Sequence, residues 1–192
     1  MVAKPTFLKV LAGFGLALGC FGAISAISSA LLFTHTRDEY VTLLRDSTVK
    51  SAPSATEQQV KLIEQEADAL YSRRNVALPL AGMNLILSSL LFFGCGRAAR
   101  GQLWGLQAWQ LAAAASIPYT ILACAFALVQ MRELRPIIDA TPGPDGAFAL
   151  MESAVERMLT VGKTALEVIY FVASWLYLRT PGVRVLYATS DR

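Results

Sequence analysis

Four stretches of the chain are long and apolar enough to cross a lipid bilayer, and nothing else in the sequence limits its fold as strongly. They lie at about 7–33, 76–96, 105–130 and 158–179. A crossing helix needs about 20 consecutive, mostly apolar residues. The first stretch is interrupted only by Lys9, the second and third carry no charge, and the fourth contains Lys163 and Glu167. The whole chain is 55% hydrophobic and 16% charged, against about 25% charged for a typical soluble domain. Lipid offers no hydrogen-bond partners, so a crossing segment must satisfy its backbone internally. The runs lack the strict alternation of a barrel strand. The expected fold is all-α: one polytopic membrane domain over residues 1–192, with four transmembrane helices in an antiparallel bundle.

The first run is expected to be a retained span rather than a cleaved leader. A leader's apolar core is about 7–15 residues, and this run is much longer. Cys20 faintly echoes a lipoprotein site, but an apolar stretch follows it instead of a polar tether.

Basic residues gather on one side of the spans: Lys4 and Lys9, Arg97 and Arg100, then Arg179, Arg184 and Arg192. The positive-inside rule places that side, with both termini, in the cytoplasm. A bacterial inner membrane fits. The net charge of +3 then reflects topology, not nucleic-acid binding, because no basic stripe with interleaved aromatics is present.

Two longer segments, about 34–75 and 131–157, face outward under this topology. A helix is expected to continue past the first span. KSAPSAT at 50–56 breaks it, and Ser54 with Glu57 forms an S-x-x-E capping box. From there one helix is expected to run unbroken from about 55 to 95, with Pro79 near the interface. Its outward part carries Val60, Ile63, Ala67 and Leu70 at 3–4 spacing, an apolar seam suited to a partner. TPGPDG marks a turn, and the last helix is expected to begin near Ala147. The result is two helices projecting beyond the membrane on the outer side.

Several chemistries find no support. Gly162-Lys163-Thr164 matches the tail of a phosphate loop, but G-x-x-x-x-G-K-[ST] needs glycine where Arg157 stands, and a preceding strand. Asp139 and Asp145 do not form a calcium loop. His35 is the only histidine, which is too little for a metal centre. Cys20, Cys95 and Cys124 are odd in number and lie in or beside apolar spans, as ordinary small hydrophobes. No cofactor, metal or catalytic set is expected, and the chain is not read as an enzyme.

The last span carries the strongest functional signal. Glu156, Thr160, Lys163, Glu167, Tyr170 and Ser174 step by 4, 3, 4, 3 and 4, so one helix face holds all six. Charges at membrane depth cost about 2.5–3.5 kcal/mol on insertion scales, so they generally face a bundle interior or a cavity. Asn84, Ser88 and Thr120 are the candidate polar partners on the second and third spans. In the first span, Gly15, Gly19, Gly22 and Ala26 form a small-residue ridge for close helix approach.

Two functions compete. The first is a structural, accessory or interaction subunit, which binds a protein partner or a second copy through its outward helices. The second is a small transporter, or an ion- or proton-conducting oligomer, using Lys163 and Glu167. The lipid bilayer is a partner under both.

Overall fold

A computed structural model describes residues 6–51, 57–139 and 144–188. They form seven helices: α1 (Thr6–Leu32), α2 (Arg37–Ser51), α3 (Glu57–Ser72), α4 (Arg74–Ala99), α5 (Leu103–Asp139), α6 (Pro144–Leu178) and α7 (Pro181–Ala188). Four of them, α1, α4, α5 and α6, are long and apolar enough to span a membrane. The chain is an all-α, multi-pass membrane protein. The helices outside the spans differ from the expected pair, however. Three further helices are present among the described residues: α2 and α3 at the end of the bundle away from the chain ends, and α7 beside the chain ends. In addition, α5 and α6, at 37 and 35 residues, are longer than the roughly 20 residues a crossing needs.

The expected continuous helix from 55 to 95 is broken at Arg73, which departs from helical geometry at φ −106° and ψ 11°. The side chains flanking the break are committed elsewhere. The Tyr71 hydroxyl donates to the carbonyls of His35 at 3.1 Å and Leu32 at 3.3 Å, and Arg74 donates to Phe33 at 2.9 Å. These bonds clasp the junction between α1 and α2, where carbonyls at a helix end need donors. Phe33 and Tyr40 pack around the Tyr71 ring.

The continuation expected after the first span is likewise interrupted. Thr34 Oγ1 turns back onto the Leu31 carbonyl at 2.7 Å, and α2 then starts afresh at a reciprocal capping box. The Thr36 amide donates to Glu39 at 2.8 Å, and the Glu39 amide donates to Thr36 Oγ1 at 3.3 Å. Arg37 ties α2 to α3 through Asp68 at 2.7 Å. The expected box at Ser54 and Glu57 rests on Ser54, which lies outside the described residues. The last helix begins at Pro144 rather than near Ala147, with proline in the first-turn position that tolerates its missing N–H.

The bundle packs in chain order, α1 on α4, α4 on α5 and α5 on α6. Small residues set these contacts. A Cβ on Gly19 would stand 2.8 Å from the backbone N of Phe92 and from the Ser88 carbonyl, and one on Gly94 would stand 2.7 Å from the Trp109 amide. The hairpin from α4 to α5 is tight. Gly101 takes φ 92°, which a side chain rarely adopts. Its amide reaches Ala98 at 2.9 Å and that of Gln102 reaches Arg97 at 3.1 Å, the paired bonds of a Schellman cap.

The core gathers beside the chain ends. Leu8, Leu11, Leu91, Cys95, Ala98, Leu106, Trp109, Phe171, Leu178, Val183 and Tyr187 are buried together there. Two carbonyls at helix ends receive side-chain donors: Leu178 from Gln110 at 2.6 Å and Ala98 from Tyr187 at 2.7 Å. Burial pushes the Tyr187 phenol up to about 12, so it stays protonated and able to donate. The short helix α7, which the sequence reading did not expect, closes this end.

Candidate functional site

The polar face of α6 runs from open surface into the core. Glu156 and Lys163 are exposed, Thr160, Glu167 and Tyr170 are partly buried, and Ser174 is fully buried. The face therefore holds two environments.

The deeper one surrounds Tyr170. Its hydroxyl donates to the Leu11 carbonyl on α1 at 3.1 Å. Gly15 makes this possible, because a Cβ there would collide with the Tyr170 hydroxyl and with Cys95 Sγ. Trp109 and Ser174 are wholly buried and approach the same Tyr170 hydroxyl, although neither Trp109 Nε1 nor Ser174 Oγ reaches good hydrogen-bond geometry. The group contains a phenol, a thiol, an indole and a hydroxyl. It lacks a base that could activate any of them.

The shallower environment holds the ion pair. Lys163 Nζ stands 3.7 Å from Glu167, one helical turn on. The lysine side chain is 74% exposed and the glutamate 23%. Tyr119 on α5 lies within electrostatic range of Glu167, while its hydroxyl donates to the Leu80 carbonyl at 3.2 Å.

The candidate polar partners are not gathered at this pair. Asn84 donates to the Gly22 carbonyl of α1 at 3.2 Å, and Ser88 donates to Asn84 at 3.1 Å. Both serve the contact between α1 and α4. Thr120 is buried on α5. The glycine ridge lies along the same α1–α4 contact: Gly19 against α4 backbone, Gly22 against Ser88, and Ala26 buried.

The seam on α3 is occupied within the chain. α3 packs on α2 and α5, with Ala67 fully buried and Ile63 and Leu70 partly buried. The side chain of Val60 lies outside the described residues. A partner cannot use the buried Ala67 without displacing the chain's own packing.

Among the described residues no three His, Cys, Asp or Glu side chains come together as a metal site. Arg157, which stands where a phosphate loop would need glycine, lies between two helices. On the half of α6 away from the chain ends, it donates to the Met131 carbonyl at 3.3 Å, and its Nε is buried without an acceptor. Its position between helices depends on how α5 and α6 pair, which helical spacing on α6 alone does not specify. Comparison with known protein families, curated proteins and solved structures finds no match for the chain.

Proposed function

We propose that the chain is a non-catalytic subunit of a membrane assembly, anchored by its four spans and binding a protein partner or a second copy through its outward helices. The observation that carries this reading is helix length. α5 has 37 residues and α6 has 35, whereas about 20 cross the hydrocarbon. Both begin or end at the side of the chain ends, so each extends roughly 15 residues, about 22 Å, past the opposite face. α2 and α3 lie on that side as well. On these segments Leu43 and Met151 are 55% and 60% exposed, where water, not lipid, would otherwise cover them. The basic flanks of the spans, Lys9, Arg97, Arg100 and Arg179, support an orientation with the termini in the cytoplasm, and a bacterial inner membrane is the setting this reading favours.

Leu43→Glu and Met151→Glu test it. Both side chains are exposed, so the chain should fold and insert unchanged. Co-purification of the partner, or of a differently tagged second copy, should fall by tenfold or so relative to wild type. Unchanged co-purification in both variants would count against the outward helices as the binding element.

A small transporter, or an ion- or proton-conducting oligomer, is the second reading. The partly buried Glu167 favours it. Conduction needs a continuous file of polar groups, and the bonds of Asn84 and Ser88 run toward α1. That leaves Glu167 with Lys163 and Tyr119, and the subunit reading is preferred.

A further inference from the structure

α6 is fastened to the bundle chiefly along one half. Beside the chain ends Tyr170 donates to the Leu11 carbonyl of α1, Gln110 of α5 donates to the Leu178 carbonyl, and Phe171, Ser174 and Leu178 are buried. By contrast, no described residue from Met151 to Tyr170 is buried. On that half the partly buried Arg157 donates to Met131 of α5 over a long 3.3 Å. A segment with few buried contacts is the cheaper one to displace.

Between the two halves lie a glycine and two threonines. Gly162 stands inside a helix, where glycine costs about 1 kcal/mol relative to alanine. Close packing does not account for it, because a Cβ there would meet nothing within 4 Å. Backbone geometry does not either, since Gly101 is the described glycine with positive φ. Two residues on, Thr164 Oγ1 donates back to the Thr160 carbonyl at 2.8 Å. That carbonyl is also the one the Thr164 amide takes in a regular helix, and back-bonding of this kind accompanies helix bends. At 3.6 residues per turn, Gly162 stands about 200° around the axis from both threonines, on the opposite side of the helix.

This arrangement sits at membrane depth. Counted back from Leu178, where α6 ends, Thr164 and Thr160 stand about 21 and 27 Å along the axis, within a hydrocarbon core of about 30 Å. Arg179, next in the chain, lies over the Trp175 ring at 4.5 Å, a basic and aromatic pair suited to the interface. In lipid, a bend that lengthens a backbone hydrogen bond strands a carbonyl unless a hydroxyl takes it. Here the Thr164 hydroxyl already holds the Thr160 carbonyl. A bend at this point opens the helix on the threonine side, where the carbonyl stays satisfied, and closes it on the glycine side, where no Cβ stands in the way.

We propose that residues 160–164 form an intramembrane joint, on which the arm of α6 from Pro144 to Leu159 changes direction while the half from Tyr170 to Leu178 stays fixed. A 20° bend at Gly162 moves Met151, about 16 Å along the axis, by about 6 Å. The joint is built from the chain's own residues and works with or without a bound partner, so this inference and the partner reading fail separately.

The test is pulsed dipolar spin resonance on the full chain in nanodiscs, with labelled chain diluted in unlabelled chain so that distances within one chain are read. Cys20→Ser and Cys124→Ser remove the accessible thiols, and the buried Cys95 stays. One label pair joins Leu31→Cys on α1 to Met151→Cys on the arm. The control pair joins Leu31→Cys to Leu176→Cys on the fixed half; all three positions are exposed. In wild type the arm distance should be spread roughly twice as widely as the control distance. Gly162→Ala should narrow it, and Gly162→Ala with Thr164→Val should bring it close to the control width, with the control pair unchanged. The alanine Cβ enters open space and valine keeps the shape of threonine, so both variants should fold. A wild-type arm distance as narrow as the control would overturn the proposal. So would a broad one that survives both substitutions, the mark of an arm that frays in water rather than turns in the membrane.

Discussion

Beside the chain ends, Leu8, Leu106, Trp109, Leu178 and Tyr187 are at most 2% exposed, whereas Met158, Leu159 and Leu166 on the other half of α6 are 67–76% exposed. The same helix passes through both regions. At the first it meets α1 as well as α5, through Tyr170 on Leu11 and through Tyr177 against Phe7 at 4.8 Å. Toward the second, its packed neighbour is α5. The contrast separates two tasks. The closed end holds the spans together with packing and satisfied helix ends. The open end presents Lys163 and the apolar side chains of Met158, Leu159 and Leu166 to whatever surrounds the chain.

Glycine substitutions should break this comparison most sharply. Gly19→Val drives a side chain into α4 backbone that cannot yield, and should cost about 3 kcal/mol or prevent assembly, a cost at the upper end of overpacking penalties. Thermal unfolding and the monodisperse fraction in detergent read it directly. Tyr187→Phe and Tyr170→Phe leave the carbonyls of Ala98 and Leu11 without these donors. Each should cost about 1–2 kcal/mol in the same assay. Gly162→Ala tests the open end with opposite sign. A Cβ there meets nothing, so the change should stabilise by up to about 1 kcal/mol through helix propensity.

Smaller effects sharpen the picture. Hydrogen bonds from Thr36, chiefly its backbone N–H, hold the Glu39 carboxyl below its ordinary value of 4.5. The folded-state value is the lower one, so the cap's contribution is present above that ordinary value and is lost as pH falls through the folded value. Amide exchange at the start of α2 should speed up over that acidic window, and Glu39→Gln should remove the pH dependence. Smallest of all, Lys163→Met combined with Glu167→Gln should leave expression, assembly and partner binding unchanged if the pair is structural. Loss of a transport signal with assembly intact would favour the conducting alternative instead.

The spans were legible because their signal is local. Length and apolarity alone mark 7–33, 76–96, 105–130 and 158–179, and the structure places spanning helices at all four. The T-R-D-E capping box at Thr36 is equally local, and it marks the start of α2 rather than a continuation of α1. The break at Arg73 was not legible. It depends on Tyr71 and Arg74 reaching carbonyls some 40 positions away, at His35, Leu32 and Phe33. For the same reason, helical spacing identified an apolar seam at Ile63, Ala67 and Leu70 without revealing that α2 and α5 already take it. Spacing also put Lys163 and Ser174 on one face, although one is exposed and the other buried. Which half of α6 is covered is decided by α1, at Gly15 and Leu11. The place of Arg157 between α5 and α6 depends in the same way on the Met131 carbonyl of α5.

The central claim is that the projecting helices exist to hold something. Native mass spectrometry of the chain, gently extracted from its own membrane, tests this most directly. The account expects a stoichiometric companion chain or a second copy, lost in Leu43→Glu and Met151→Glu. A single chain with lipid alone, under extraction conditions that preserve other membrane complexes, would contradict it.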